Sequence, residues 1–405
     1  MRALAVLLLA LACAACGGER AAESAAPSPL QTELRALVER MEDVHPDLYH
    51  SVSRTRFRAE AESLAARAPT RPQLVVGLMR LVALLGPRDG HSAVFPLDPA
   101  HARTLHAYPL ELYWFPDGLY VIDADQPSLI GARLTAIEDV PVADAIARVR
   151  PLVSRDNAST VRMRLPPYLI SEEVLAGLGF GDGGPARFAF ADGRSATLEP
   201  VTSGGFVSRF GFEWQVSRPN GTQPLWLQRP DEEQWLRTIN RGRAVYLGYH
   251  HAMSSTFETA ERLTRLARRP RVRRVIVDVR LNGGGDNTTY GSLVGALEQP
   301  AVGRKAVLLT GRVTFSAASN FVAEVEARTR TRLVGEPTGG APNQWGDSTV
   351  LELPSAGLAV RVANQYVQVT SAGDRRATIR PHIRVDPTAA DFFAGRDPVL
   401  ARALR

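Results

Sequence analysis

Three stretches between residues 30 and 85 carry apolar side chains at helical spacing. Leu30, Leu34, Leu37, Val38 and Met41 share one face behind Ser28-Pro29, a cap followed by a first-turn proline. Phe57 and Leu64 mark a second helix after Thr55, and Val75, Leu78, Met79, Val82 and Leu85 a third, which Gly86-Pro87 closes. From about 108 to 200 the rhythm changes to short apolar or alternating runs separated by turn residues ("GLYVIDA", "ARLTAIEDVPV", "ARFAFADGRSATLEP"), the signature of strands. Helical stretches interrupt them near 142–150 and 171–177. From 244 onward, buried strands "AVYLGY", "VRRVIVDVR", "KAVLLTG" and "TRLVGEP" alternate with helices that begin after Ser255-Thr256, near 288 and at Ser316. That alternation predicts a parallel sheet with crossover helices. Sites in such sheets lie where strands end and helices begin, and "NGGGD" and "TFSAAS" both occupy that position.

In the β-rich middle, "LIGARLTAIEDVPVADAI" resembles the second half of a PDZ module: a strand, an acidic turn, then a helix. "GLGF" at 177–180 would suit a carboxylate cradle, but it lies on the wrong side of that strand and reads as a turn after a helix.

Composition narrows the function classes. With 405 residues the chain can bury a large core in two or three domains, and 45% apolar with 22% charged residues is ordinary for a globular protein. The net charge of +6 is spread thinly; "RRPRVRR" and "DRRATIR" flank strands without interleaved aromatics, which excludes an obvious nucleic-acid interface. Arg2 followed by the apolar run from Ala3 to Ala12 has signal-peptide length, too short to span a bilayer. The following "CAACGG" resembles a bacterial lipoprotein cleavage site with Cys16 as the lipidated residue; plain cleavage after a small residue is the alternative. The expectation is an exported protein of the cell envelope, touching the membrane only through a lipid anchor, if at all. Cys13 and Cys16 are the only cysteines, so the mature fold has no internal disulfide and no cysteine metal site.

Ser316 has two readings, N-cap or nucleophile. A serine nucleophile needs a base. The single lysine, Lys305, starts the strand that ends before Ser316; eleven extended positions put it up to about 35 Å away, which disfavours a Ser–Lys pair. Histidine is the remaining base, and among the eight, His91 in "RDGHSAVFP" stands in a polar, glycine-bearing turn where a core histidine is out of place. Gly283 to Gly285 let backbone N–H groups approach a reacting atom closely. The spacing fits neither a P-loop nor a dinucleotide fingerprint, leaving a tight turn or an oxyanion hole.

Taken together, "VDVRLNGGGDN", "LTGRVTFSAASNF" and "VGEPTGGAPNQWGD", with "DGHS" upstream and "GDRRATIRPHIRVDPT" and "GRDPVL" downstream, resemble the C-terminal processing (tail-specific) serine peptidases, in their tricorn-type Ser/His branch. The resemblance implies an α/β fold: a crotonase-like core with a parallel sheet and crossover helices, a PDZ-like β-rich insertion and an N-terminal helical subdomain. The corresponding boundaries are a signal segment at 1–16, a tether at 17–29, the helical subdomain at 30–100, the PDZ-like region at 105–203 and the catalytic core at 204–405. It implies hydrolysis of peptides or unfolded proteins without a cofactor. Ser316 takes the nucleophile position and His91 that of the base; Gly284 and Ala317 supply oxyanion N–H groups. Asp374 falls where the acid is placed, with Glu336 as its rival. The position of the lysine in the Ser–Lys members is Ala341 here. An inactive peptide-binding module of the same fold is the alternative.

Overall fold

The computed structural model describes residues 28–211 and 223–405; the expected signal segment, Cys16 and the tether up to residue 27 lie outside the described residues. Pro29–Val44, Arg54–Ala66 and Arg71–Ala83 form the three N-terminal helices. Ser28 accepts from the Gln31 N–H and Gln31 reaches back to Ser28, a capping box that satisfies two donors at the helix start. The second helix starts earlier than expected because Ser53, not Thr55, caps it by accepting the Arg56 N–H.

Leu34, Leu37, Met41, Phe57, Val75 and Leu78 do not close a core of their own. They join the inward faces of the 105–210 region and of the hairpin Thr349–Leu353/Leu358–Val362 in one hydrophobic core. Each such fully buried side chain contributes roughly 1.5–3 kcal/mol, so this shared core ties the last third of the chain to its beginning. The middle region holds a four-stranded antiparallel sheet in the order Val140–Pro141, Leu134–Ile137, Ala186–Phe190, Ser195–Leu198, and a separate hairpin Leu110–Phe115/Gly118–Ala124. "GLGF" ends the helix Glu172–Gly177: Gly179 has φ +74°, its N–H bonds the Ala176 carbonyl, and the Phe180 N–H bonds that of Leu175. That is a Schellman stop. A further helix, Ala158–Leu169, was not legible in the apolar pattern.

The second half is built on a six-stranded sheet. Its order is Ile383–Arg384, Arg332–Gly335, Ala306–Thr310, Arg274–Asp278, Ala244–Tyr249, Gln234–Ile239, all neighbours parallel except the last pair. From 244 to 335 the chain steps one strand at a time in one direction. Right-handed crossovers taken repeatedly in one direction fall on one face. Leu263, Leu293, Val294, Phe321 and Val322 of the three crossover helices accordingly pack together on Val245, Leu247, Val277, Leu308 and Leu333. The alternate strand residues, Tyr246, Ile276, Val307, Leu309 and Val334, face the other way and are covered by Val399 and Ala403 of the helix Pro398–Ala403. The molecule is thus a mixed α/β protein with a helical N-terminal region and a sheet-rich body.

Candidate active site

Ser316 sits between the strand Ala306–Thr310 and the helix Ala317–Arg328. Its side chain makes no cap hydrogen bond. Instead its Oγ lies 3.0 Å from His91 Nε2. The backbone there has φ +50° and ψ −130°, a region that a residue bearing a Cβ occupies only when its surroundings over-determine it. They do so here. Gln344 Nε2 donates to the Ser316 carbonyl (3.2 Å) and to Asn320 Oδ1 (2.9 Å), and Asn320 donates to Asn287 Oδ1 (2.8 Å). The turn before it is held by the Thr314 hydroxyl, which donates to the Val279 carbonyl (2.8 Å), and by the Phe315 N–H on the Asn282 carbonyl (3.2 Å).

The turn that carries His91 is fixed from several sides. Asp89 Oδ1 accepts the Ser92 N–H (3.0 Å), and Ser92 Oγ accepts the N–H of Ala363 (2.9 Å). Ala93 and Arg361 exchange backbone hydrogen bonds, so the hairpin buried in the N-terminal core also delivers His91 to the second half. His45 and His50 flank Asp89 Oδ2 at 3.3 and 3.6 Å. These three side chains have the composition of a metal site. However, the Asp47 N–H donates to His45 Nδ1 (3.0 Å), so the ring proton sits on Nε2 and His45 presents an N–H, not a lone pair, to Asp89. The cluster reads as a brace under the turn.

The His91 ring stacks on Phe315 (centroids 4.6 Å apart, 26° between planes). Burial and, next, the nearby Arg164 guanidinium push its pKa down to about 4, against weaker opposing effects of Asp89, the Trp345 carbonyl and Asp347. The imidazole is therefore neutral at pH 7, the state in which Nε2 can take a proton from a hydroxyl. No side chain among the described residues bonds its Nδ1; only the Trp345 backbone carbonyl acts weakly on the ring as an acceptor.

Two expected participants are placed elsewhere. The Asp374 carboxylate is engaged by Arg376 and by the Thr370 hydroxyl, not by His91; the Arg376 fork holds its pKa down at about 2. Its rival Glu336 forms a buried ion pair with Arg312. The N–H of Gly284 donates to Asn282 Oδ1 (3.0 Å), so Gly284 is not a free oxyanion donor. Asn282, anchored on the Tyr249 carbonyl (3.1 Å), turns the glycine loop in this way. Gly284 matters for space: at φ +118°, a Cβ would lie 2.6 Å from Ser316 Cβ and 3.1 Å from Ser316 Oγ. The N–H groups of Gly283 and Ala317 have no acceptor among the described residues. Lys305 lies at the far end of its strand, donating to the Ala267 carbonyl (2.6 Å).

A cleft of about 350 Å³ opens beside the pair; its lining includes His91, Ser316 and Gly283, the apolar Phe95, Met163 and Phe315, and the charged Asp98, Arg164 and Arg361. A larger cavity of about 810 Å³, ringed by Arg304, Lys305 and Arg332, contains no comparable nucleophile and base. Asp156, Arg164 and Gln344 surround the site without having been expected. Only the Asn157–Thr160 cap spacing could have pointed to the first two.

No protein-family model matches the chain, and no curated protein matches it significantly. Solved structures do. Mature CPAF complexed with lactacystin superposes with a TM-score of 0.60 at 13% identity, covering 91% of this chain and 96% of that one. Mature CPAF alone gives 0.57 at 14% identity, covering 91% and 95%. The photosystem II D1 C-terminal processing protease is more remote, with a TM-score of 0.39 at 13% identity over 89% and 94%. Along nearly its whole length, then, this chain has the fold of CPAF.

Proposed function

We propose that the chain is a serine peptidase of the C-terminal processing type that hydrolyses peptides or unfolded proteins, with Ser316 as nucleophile and His91 as base. One observation carries this reading: a serine in a strained conformation at a helix start, excused from capping, lies 3.0 Å from a neutral histidine that enters from the other end of the chain. The fold shared with CPAF supports it, as do the four motifs that stand in register with such peptidases. In this mechanism His91 Nε2 takes the Ser316 proton as Oγ attacks the scissile carbonyl. The oxyanion forms at the start of the helix Ala317–Arg328, where the Ala317 N–H and the helix dipole meet it, with Gly283 as the second donor in place of Gly284. His91 then protonates the leaving amine, and water releases the acyl group from Ser316. The Phe95, Met163 and Phe315 lining of the cleft receives a substrate side chain. We read the one-sided sheet as the crotonase-like core and residues 105–203 as the PDZ-like insertion. The charged and apolar pattern ahead of Cys16 supports export to the cell envelope.

The test is labelling by a serine-reactive fluorophosphonate. Labelling at Ser316 that is lost in Ser316→Ala and His91→Gln supports the peptidase. Lactacystin, the ligand in the CPAF complex, serves as competitor. An unlabelled protein that binds peptides tightly would instead be a binding module built on the same fold.

A further inference from the structure

His91 lacks the carboxylate that usually orients a catalytic imidazole: no side chain among the described residues bonds its Nδ1, and the Trp345 backbone carbonyl acts on the ring only weakly. What holds it is found one residue earlier. Asp156 Oδ1 accepts the Gly90 N–H (2.6 Å), and its Oδ2 accepts the Ala341 N–H (3.1 Å). On the other side of the same residue, Arg164 Nη1 donates to the Gly90 carbonyl. The guanidinium lies between the rings of Phe95 and Phe315, 4.7 Å from each centroid, and Phe315 is the ring on which His91 stacks. Both Asp156 and Arg164 are buried. The fit leaves no room at Gly90: a Cβ there would come within 2.9 Å of Asp156 Oδ1, 3.1 Å of Phe315 and 3.2 Å of Arg164 Nη1.

These two side chains are presented by one short segment. Asn157 caps the helix Ala158–Leu169, and its Nδ2 donates to the carbonyls of Gly339 (2.8 Å) and Ala377 (2.7 Å). The Thr160 hydroxyl donates to Gly339 as well (2.6 Å). Residues 156–164 therefore tie the His91 turn to the loop after the strand Arg332–Gly335.

We propose that Asp156 and Arg164 are the positioning residues of the His91 base, gripping Gly90 from both sides and standing in for a carboxylate on the imidazole. The catalytic consequence rests on the peptidase reading; the grip itself does not. The charged groups that face the ring are Arg164 from the helix Ala158–Leu169, Asp89 from its own turn and Asp347 from the loop after Asn343–Gly346. Of these, Arg164 is the cation. It adds to burial, the larger cause, in keeping the ring neutral, whereas a carboxylate partner would favour its charged form.

The test uses the full chain with ¹³Cε1-labelled histidine, His91 being assigned by His91→Gln. The His91 titration is followed by NMR from pH 3.5 to 8, and the fluorophosphonate labelling rate is measured on the same samples. Arg164→Met is expected to raise the His91 midpoint by about one unit and to move the acid limb of labelling with it; Arg164→Lys, which keeps the charge, leaves the midpoint low. Asp156→Asn, near-isosteric and the safer variant for folding, offers one acceptor oxygen to two N–H groups and should slow labelling about tenfold or more. An unmoved His91 midpoint in Arg164→Met, or wild-type labelling in Asp156→Asn, overturns the proposal. A wild-type protein that is never labelled, but whose His91 midpoint moves with Arg164→Met, overturns the peptidase reading and leaves the grip standing.

Discussion

His91 Nε2 and Ser316 Oγ lie 3.0 Å apart although 225 positions separate them in the chain. The contact exists because Ser316 adopts φ +50° and ψ −130°, which turns its side chain away from the helix it starts. Such a conformation costs on the order of 1–3 kcal/mol in a residue with a Cβ.

Glycine at position 316 relieves that cost, and alanine does not. Both variants lose labelling. Ser316→Ala is expected to unfold within about 1 kcal/mol of wild type, since it loses one partly buried hydrogen bond. Ser316→Gly should be more stable than Ser316→Ala by about 1 kcal/mol. Urea unfolding of the pair measures this directly, and equal midpoints would mean that the backbone carries no strain at this residue.

The glycine loop gives a second, steric test. At Gly284 a methyl group has no place beside Ser316, and φ is +118°, so Gly284→Ala should lose roughly 1–3 kcal/mol and nearly all labelling. Gly295 is the control. It lies inside the helix Gly291–Glu298, and nothing stands within 4 Å of its added Cβ, so Gly295→Ala should gain about 0.5–1 kcal/mol with labelling intact. Similar losses at both positions would remove the argument that Gly284 is there for the nucleophile.

The sheet and the Ser316 turn were readable because each buried parallel strand is an unbroken apolar run ending in turn residues. Legibility failed where partners are remote or local signals conflict. Pro166 and Pro167 obscure the helix Ala158–Leu169, so nothing local marked Arg164 as part of a helix. The hairpin Thr349–Leu353/Leu358–Val362 packs with helices some 300 positions earlier, which no local period reveals. Asp374 was assigned by position in a motif, and position could not show that Arg376, two residues on, would take its carboxylate. The Gly284 N–H was lost in the same way to Asn282, two residues back.

Arg280 follows the strand Arg274–Asp278 on the way into the glycine loop. Its buried guanidinium forks onto Asp278 (2.6 Å) and Asp397 (2.8 and 2.9 Å), and the Tyr246 hydroxyl donates to the same Asp278 (2.7 Å). Arg280→Met would leave two carboxylates without their cation in a poorly hydrated place, which costs about 3–5 kcal/mol. Urea unfolding should show that loss, with labelling reduced because Asn282 and Gly283 follow directly. A loss below about 1 kcal/mol is the behaviour of a solvated surface pair and would refute the brace.

The grip on His91 also leaves a signature in stability, with opposite signs for its two titrating members. The His91 pKa falls from the ordinary 6.5 to about 4, so between those values the folded state binds fewer protons than the unfolded state, and stability rises with pH. Asp156, desolvated, is pushed up from 3.8 to about 7; the folded state there binds more protons, and stability falls as pH rises through that window. In wild type the two slopes oppose each other between about pH 4 and 6.5, and removing one member exposes the other. The melting temperature of His91→Gln relative to wild type should fall as pH rises from 4 to 6.5, and that of Asp156→Asn should rise from 4 to 7. His101 and His250, also pushed down by burial, contribute equally to wild type and variants and drop out of the difference. Scanning calorimetry in half-unit pH steps reads both differences. Two parallel profiles would mean that neither group titrates away from its ordinary value, and that burial of the His91 turn has no hold on the base.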